Sequence, residues 1–227
     1  MSKTAPRPPT DYDRYIRTDA LLALQKSPEE LATHDELMFQ ITHQSCELWM
    51  KLIDHEMQWV MKLLDDDQLL EAGRILSRVR KIARHLLEAF PLLETLLPVD
   101  FHEIRKQLGR GSGSESPGFH RLLTLPQELW PHFEAMMARR KKTVLEVHRH
   151  PRENLEELQI IEDLMEYDEQ FQKLRYIHFA LARRVLGTEV MSLKNIPVTS
   201  MTPGGTEPLF PELWKAVDAL TKEIWQR

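Results

Sequence analysis

Two of the ten histidines lie on helical faces that are otherwise apolar, where an imidazole is placed to ligate a metal or bind a buried polar group. Around His43, the apolar residues Phe39 and Met50 recur at helical spacing. The same spacing surrounds His178, with Phe171, Leu174, Leu181 and Val185. A single histidine of this kind is most simply a hydrogen-bonded core residue, but two of them on separate long helices favour a site.

The histidine spacing excludes two common metal centres. A di-iron carboxylate bundle needs the motif Glu-x-x-His twice, so that both ligands face inward one helical turn apart. None of the ten histidines has a glutamate three positions before it, and the HExxH motif of metalloproteases is missing. A haem suits one axial imidazole between apolar helix walls, with His178 on the iron and His43 facing the sixth position. Spacing alone does not separate such a site from an ordinary helical core.

Arg105 is the candidate for binding a carboxylate. It lies four residues after Phe101 and just before the glycine-rich segment 109–118, GRGSGSESPG. A guanidinium there is able to hold a carboxylate through two parallel hydrogen bonds. The alternative is a surface arginine that pairs with Glu103 or Asp100.

The composition narrows the class of protein. The 227 residues are enough to bury a sizeable core, and a formal net charge of −5 gives no electrostatic argument for nucleic-acid binding. Cys46 is the single cysteine, and Glu47 beside it indicates an inert thiol, because a neighbouring carboxylate raises a thiol pKa. No segment approaches the ~20 apolar residues that span a bilayer. We expect a cytoplasmic protein that binds neither nucleic acid nor membrane.

Hydrophobic periodicity predicts a single all-α domain over residues 11–227, preceded by a flexible arm over residues 1–10. Two long loops remain, 109–118 and 188–208, and loops of this length are uncommon unless they serve a function. The sequence contains no credible alternating strand pattern. The predicted helices cover residues 18–26, 35–65, 67–97 with a kink or break at Pro91, 100–108, 127–149, 152–186 and 211–226.

Four segments resemble, in order, the tryptophan 2,3-dioxygenases. DELMFQITHQSCELWMK (35–51) resembles the helix with the pattern DE-x-x-F-x-x-x-HQ-x-x-ELW-x-K in that family. DYDRYIRTDALLALQ (11–25) is similar to its opening helix, and LLPVDFHEIRKQLGRGSG (96–113) to its PxxFxxFRxxLGxxSG segment. YDEQFQKLRYIHFALARRVLG (167–187) resembles the helix whose RxxH histidine holds the haem. The HQxxELWxK element is the most specific of these motifs.

The resemblance implies an all-α helical bundle around a haem b, ferrous in the active state, that inserts O2 across the indole C2–C3 bond of L-tryptophan or a substituted tryptophan. It makes His178 the axial ligand of the haem iron and His43 the distal histidine that hydrogen-bonds the indole N–H. Phe39 would pack on the substrate ring, Arg105 would bind the amino-acid carboxylate, and Tyr12 would help to enclose the substrate.

The resemblance also implies an assembly and two loop contacts. Tyr15 and Ile16 would reach into the pocket of a neighbouring subunit, so that the protein is an obligate homo-oligomer, a tetramer in the family. Ser112 would lie beside the haem. A threonine of the second loop, Thr202 or Thr206, would contact the ammonium or carboxylate group of the substrate.

Both loops depart from the family pattern, and this keeps other activities open. The family's SSGFQS is GSGSESP here, with Glu115 where a glutamine is usual, and GTGGSSG becomes MTPGGTEP. One alternative is a histidine-ligated haem monooxygenase or hydroxylase of an indole or phenolic amino acid in specialised metabolism. Another is a haem sensor without turnover. Arg105 and His43 argue against the sensor, because a sensor needs no carboxylate clamp.

Overall fold

The computed structural model describes residues 8–109, 111, 115–187 and 207–225. These residues form nine α-helices and one 3₁₀ turn, Pro151–Glu153, and contain no strand, which confirms the predicted all-α fold. In chain order the helices are α1 (Asp11–Ile16), α2 (Thr18–Leu22), α3 (Glu36–Asp65), α4 (Leu69–Leu93), α5 (Pro98–Gln107), α6 (Pro117–Arg139), α7 (Val144–Arg149), α8 (Leu155–Leu186) and α9 (Pro211–Trp225).

The four longest helices, α3, α4, α6 and α8, pack into a bundle. Helix α4 lies between α3 and α8, and α6 packs on the other side of α3. The ring of Phe119 on α6 stacks on that of Phe171 on α8, with centroids 5.4 Å apart, which closes the bundle. Helices α3 and α8 are therefore diagonal neighbours.

The bundle forms because each long helix has one apolar face. On α3, four residues that recur at helical spacing are completely buried: Ile53, Met57, Val60 and Leu64. Only residues 66–68 separate α3 from α4, and so short a connection makes the two helices antiparallel neighbours. Asp67 in this turn has a φ of 55°, in the left-handed region that reverses the chain after a helix.

The structure confirms the predicted bounds of α3, α5, α8 and α9 to within three residues. Helix α4 runs through Pro91 as one helix, because this proline lies in its last turn, where the missing N–H removes a single hydrogen bond. The prediction of a single helix over residues 127–149 is wrong at its start, and the structure has two helices there. Helix α6 begins at Pro117, after the capping residue Ser116, and α7 is a separate helix.

The two N-terminal helices lie outside the bundle. The predicted helix 18–26 is shorter than expected, because α2 ends at Leu22, and neither α1 nor α2 contains a buried residue. The segment that follows is attached to α3 through Glu36, which is 2% exposed and accepts hydrogen bonds from the Lys26 Nζ at 2.5 Å and the Ala32 N–H at 2.6 Å. Within the described residues, no helix is both long and apolar enough to cross a membrane.

Candidate functional site

The two histidines singled out by the sequence come from diagonal helices and face the same space. His43 is in the second turn of α3, and His178 is in the last third of α8. Burial lowers the pKa of His178, and the nearby His43 lowers it further, so the two imidazoles are close enough to interact electrostatically. We refer to the region between these two side chains as the recess.

The protonation state of His43 follows from its hydrogen bond. Its Nδ1 lies 2.7 Å from the carbonyl oxygen of Phe39, and a carbonyl only accepts, so Nδ1 carries the proton and Nε2 is left as an acceptor. Burial lowers the pKa of His43 against the opposing effects of this hydrogen bond and of Glu47, which favours the neutral imidazole. Solvent still reaches the ring, as is typical of a side chain that lines an open recess.

Aromatic rings form the wall beside His43. The centroids of the Phe39 and His43 rings are 4.1 Å apart, and those of Phe39 and the Phe101 ring of α5 are 6.3 Å apart. This contact places α5, with Arg105 one turn after Phe101, beside the recess. Arg105 is half-buried, so part of its guanidinium-bearing side chain stays accessible. The His43 imidazole and two aromatic rings therefore lie together, and Arg105 is on the same face of α5 as Phe101.

His178 has the features of a ligand for a haem iron. It is half-buried, and the edge of the Phe90 ring packs on it with centroids 6.1 Å apart at 71°. Among the described residues, none forms a hydrogen bond with its imidazole. A neutral imidazole is the form that coordinates iron, and an aromatic wall with a second imidazole nearby suits a haem. The residues present fit this cofactor.

The other predicted site residues are not all in the recess. Within one chain, the N-terminal residues remain outside it: Tyr12 is 70% exposed, Tyr15 86% and Ile16 43%. Ser112, Thr202 and Thr206 lie outside the described residues. Cys46 agrees with its prediction, because burial and the nearby Glu47 raise the pKa of its thiol to about 11.

Sequence reasoning missed Glu47, which ties the glycine-rich segment to α3. Its two carboxylate oxygens accept hydrogen bonds from the Ser116 hydroxyl and from the Gly118 N–H, the latter at 3.0 Å. Ser116 and Gly118 are the last part of that segment, where α6 begins. The available sequence signal was the glutamate of the ELW motif.

A second missed carboxylate, Asp168 on α8, holds the start of α9. It accepts hydrogen bonds from the N–H groups of Leu209 and Phe210, at 2.9 and 3.0 Å, and from the indole N–H of Trp214, at 2.9 Å. Arg175, one turn before His178, donates to the carbonyl oxygen of Glu207 at 3.0 Å. The chain that leaves the second long loop is thus attached to the helix that carries His178.

Comparison of the sequence with known proteins shows what this chain is similar to. Residues 3–125 match the model of a family described as Tryptophan 2,3-dioxygenase. A tryptophan 2,3-dioxygenase of Myxococcus xanthus is 29% identical over 93% of this chain and 90% of its own length. One of Serratia proteamaculans is 27% identical over 89% of this chain and 90% of its own. One of Exiguobacterium sibiricum is 41% identical, over 46% of this chain and 37% of its own.

Proposed function

Because the chain belongs to the tryptophan 2,3-dioxygenase family and is an oxygenase, we propose that it inserts both atoms of O2 across the indole C2–C3 bond of L-tryptophan or a substituted tryptophan. The observation that carries the proposal is the pair of imidazoles in one recess, His43 with a free acceptor nitrogen and His178 without a protein partner among the described residues. The product is of the N-formylkynurenine type.

The cofactor in this proposal is haem b, held by His178. When bound, it supplies the ferrous iron that binds and activates O2. The low pKa of His178 keeps its imidazole neutral, and a protonated imidazole cannot ligate iron. A test is to measure the Soret band of His178→Ala after haem reconstitution: we expect no stoichiometric binding, and an unchanged band at full occupancy would exclude this residue as the ligand.

The side chains around the recess would orient the substrate. The Nε2 of His43 accepts the indole N–H, because Nδ1 already donates to the Phe39 carbonyl. The Phe39 ring packs on the indole, and Arg105 holds the substrate carboxylate at the far end of the amino acid. Fixing both ends of the substrate brings the C2–C3 bond to the reacting position and removes much of the entropic cost of the reaction.

The exposed N-terminal residues support a proposed assembly. Tyr12, Tyr15 and Ile16 find no buried position in their own chain, so we assign Tyr15 and Ile16 to the pocket of a neighbouring copy in a homotetramer, with Tyr12 enclosing the substrate. Light scattering on the purified protein tests this. A monomer with full activity would remove the role of these residues.

The remaining assignments rest on the family resemblance. Ser112 would lie beside the haem, and Thr202 or Thr206 would contact the substrate. From composition and periodicity, we further propose a single haem-binding domain over residues 11–227, preceded by an N-terminal arm over residues 1–10, in a cytoplasmic enzyme.

A haem monooxygenase or hydroxylase of an indole or phenolic amino acid is a second candidate. The observation that favours it is the shortened chain: the alignment with the Myxococcus xanthus enzyme runs over 263 positions, although this chain has 227 residues. Part of that relative therefore has no counterpart here.

One experiment separates the two activities. The haem-loaded protein is reduced without oxygen, mixed with L-tryptophan and exposed to O2, and the product is identified by absorbance and mass spectrometry. A gain of two oxygen atoms supports the dioxygenase. A gain of one oxygen atom, or a Soret shift without product, supports the second candidate. If tryptophan gives no Soret shift and no product, an enzyme that acts on tryptophan is contradicted.

A further inference from the structure

Helix α5, which carries Arg105, is held to the rest of the molecule by few contacts. Ile104 is the buried residue among its ten residues, and its aromatic contact with α3 is the Phe101–Phe39 pair. Helix α5 also packs on α8 and follows α4 after only residues 94–97, so the connection after its C-terminal end is one of several restraints on its orientation.

That attachment is short. The Gly111 N–H donates to the carbonyl oxygen of Leu108 at 2.8 Å, so the end of α5 continues in a tight turn as far as Gly111. Three residues lie between Gly111 and Glu115, which limits the distance between these two residues to about 14 Å even in a fully extended chain. The position of the start of α6 therefore limits how far away the end of α5 can lie.

Glu47 fixes the position of the N-terminal end of α6. Both of its carboxylate oxygens are used, one by the Ser116 hydroxyl and one by the Gly118 N–H. Helices α3 and α6 approach so closely here that a Cβ atom built on Gly118 would lie 2.7 Å from Glu47 Oε2 and 2.9 Å from Met50 Cβ. This junction therefore has a defined geometry that a displaced carboxylate would not preserve.

Glu47 is also one helical turn after His43 on the same helix, α3. We propose that Glu47 is a positioning residue that fixes the spacing between His43 and Arg105, the two groups that contact opposite ends of an amino-acid substrate. The part concerning substrate rests on the proposed function. The mechanical part, that Glu47 holds α5 through the start of α6, depends only on the contacts described above.

The test compares Glu47→Ala, Glu47→Gln and the control Glu56→Ala. Glutamine keeps one acceptor for the Gly118 N–H, and its amide N–H can donate to the Ser116 hydroxyl, so the connection survives without the charge. Glu56 is a suitable control because it is also on α3, is 7% exposed and pairs at 2.7 Å with Arg78 on α4, away from the recess.

The first measurement is equilibrium binding to the reduced, haem-loaded protein, followed by the Soret shift, with L-tryptophan and with 3-methylindole, which lacks the carboxylate. In Glu47→Ala we expect binding of L-tryptophan to weaken about tenfold, as for a poorly aligned charged hydrogen bond, while 3-methylindole binds as before. Glu47→Gln and Glu56→Ala should bind both compounds as the unmodified protein does. Equal weakening of both ligands, or of the control, would overturn the proposal.

The second measurement is hydrogen–deuterium exchange of the same holoproteins. We expect faster exchange over residues 98–109 in Glu47→Ala and in Gly118→Ala, and no change there in Glu56→Ala. Unchanged exchange over this segment in Glu47→Ala would show that Glu47 does not hold α5. If the unmodified protein neither binds nor oxidises tryptophan, the proposed function fails, and the exchange measurement still decides the role of Glu47.

Discussion

Glu47 and Asp168 are both carboxylates that hold the start of a helix, yet they sit in different surroundings. Asp168 is completely buried and accepts hydrogen bonds from two backbone N–H groups and an indole. Glu47 is half-buried and accepts from one backbone N–H and one hydroxyl. The residues that Asp168 fixes continue into the core, where Phe210 is 2% and Leu213 0% exposed. The residues that Glu47 fixes are at the end of the glycine-rich segment, where α6 begins.

This difference separates a contact that maintains the fold from one that arranges the site. Asp168 also accepts from the Gln172 amide at 2.9 Å, and a buried carboxylate with four donors leaves those donors unsatisfied when it is lost. The cost then falls on the stability of the whole chain. A half-buried carboxylate near a loop is partly replaced by water when it is lost, so the cost falls mainly on local geometry. Stability and substrate binding should therefore respond separately to changes in the two regions.

The largest effect is expected for Asp168→Ala. It should lower the free energy of unfolding by about 3 kcal/mol or more, because the N–H groups of Leu209 and Phe210 and the Trp214 indole lose a charged acceptor. Urea unfolding followed by circular dichroism measures this. The adjacent, exposed Glu169 provides the control Glu169→Ala, which should change stability by no more than about 0.5 kcal/mol. A loss as large in Glu47→Ala would contradict the distinction between the two regions.

Arg105→Ala tests the site region. We expect the KM for L-tryptophan to rise roughly 10²-fold, from loss of a charged hydrogen-bond pair of ~3 kcal/mol. Arg105→Lys should give an intermediate KM, because lysine keeps the charge but not the two parallel hydrogen bonds. Steady-state kinetics provide the measurement, and normal turnover by the alanine variant would remove Arg105 from the substrate site.

A smaller effect is expected on how the free energy of unfolding of the apoprotein depends on pH, through His43 and His178. Since burial lowers the pKa values of His43 and His178, the unfolded chain takes up protons first as the pH falls through the ordinary histidine value of 6.5. The free energy of unfolding should therefore fall below that pH and be unaffected by these groups above it. His178→Gln and His43→Gln should each reduce the difference in the free energy of unfolding between about pH 7.5 and about pH 5.5. Urea midpoints at both pH values test this, and an unchanged difference in both variants would contradict it.

The smallest effect is expected for Cys46→Ala, although Cys46 lies between His43 and Glu47. Its thiol pKa of about 11 leaves almost no thiolate near neutral pH, so it has no chemical role in the site. We expect kcat/KM within about twofold of the unmodified protein and a stability loss of about 1 kcal/mol. A marked loss of turnover would show that this helix face tolerates less change than the contacts indicate.

Local pattern was sufficient for most of the helices and failed where prolines were involved. The apolar spacing along α3 and α8 gave their ends to within three residues, because periodicity is a property of one continuous segment. The predicted helix began after Pro126, but α6 begins ten residues earlier, at Pro117. In the bundle, α6 continues through both prolines, since burial of Leu122, Leu125 and Leu129 compensates for the lost hydrogen bonds.

The sequence by itself determined the all-α class and membership of a family through motifs within single helices, and it singled out His43, His178 and Arg105 as candidates. The tertiary structure decided which distant segments meet. The Phe39 ring reaches Phe101 on α5, and Glu47 reaches Ser116 across 69 residues of sequence. Spacing along one helix reports only which side chains share a face. Contacts between distant segments depend on how the helices pack.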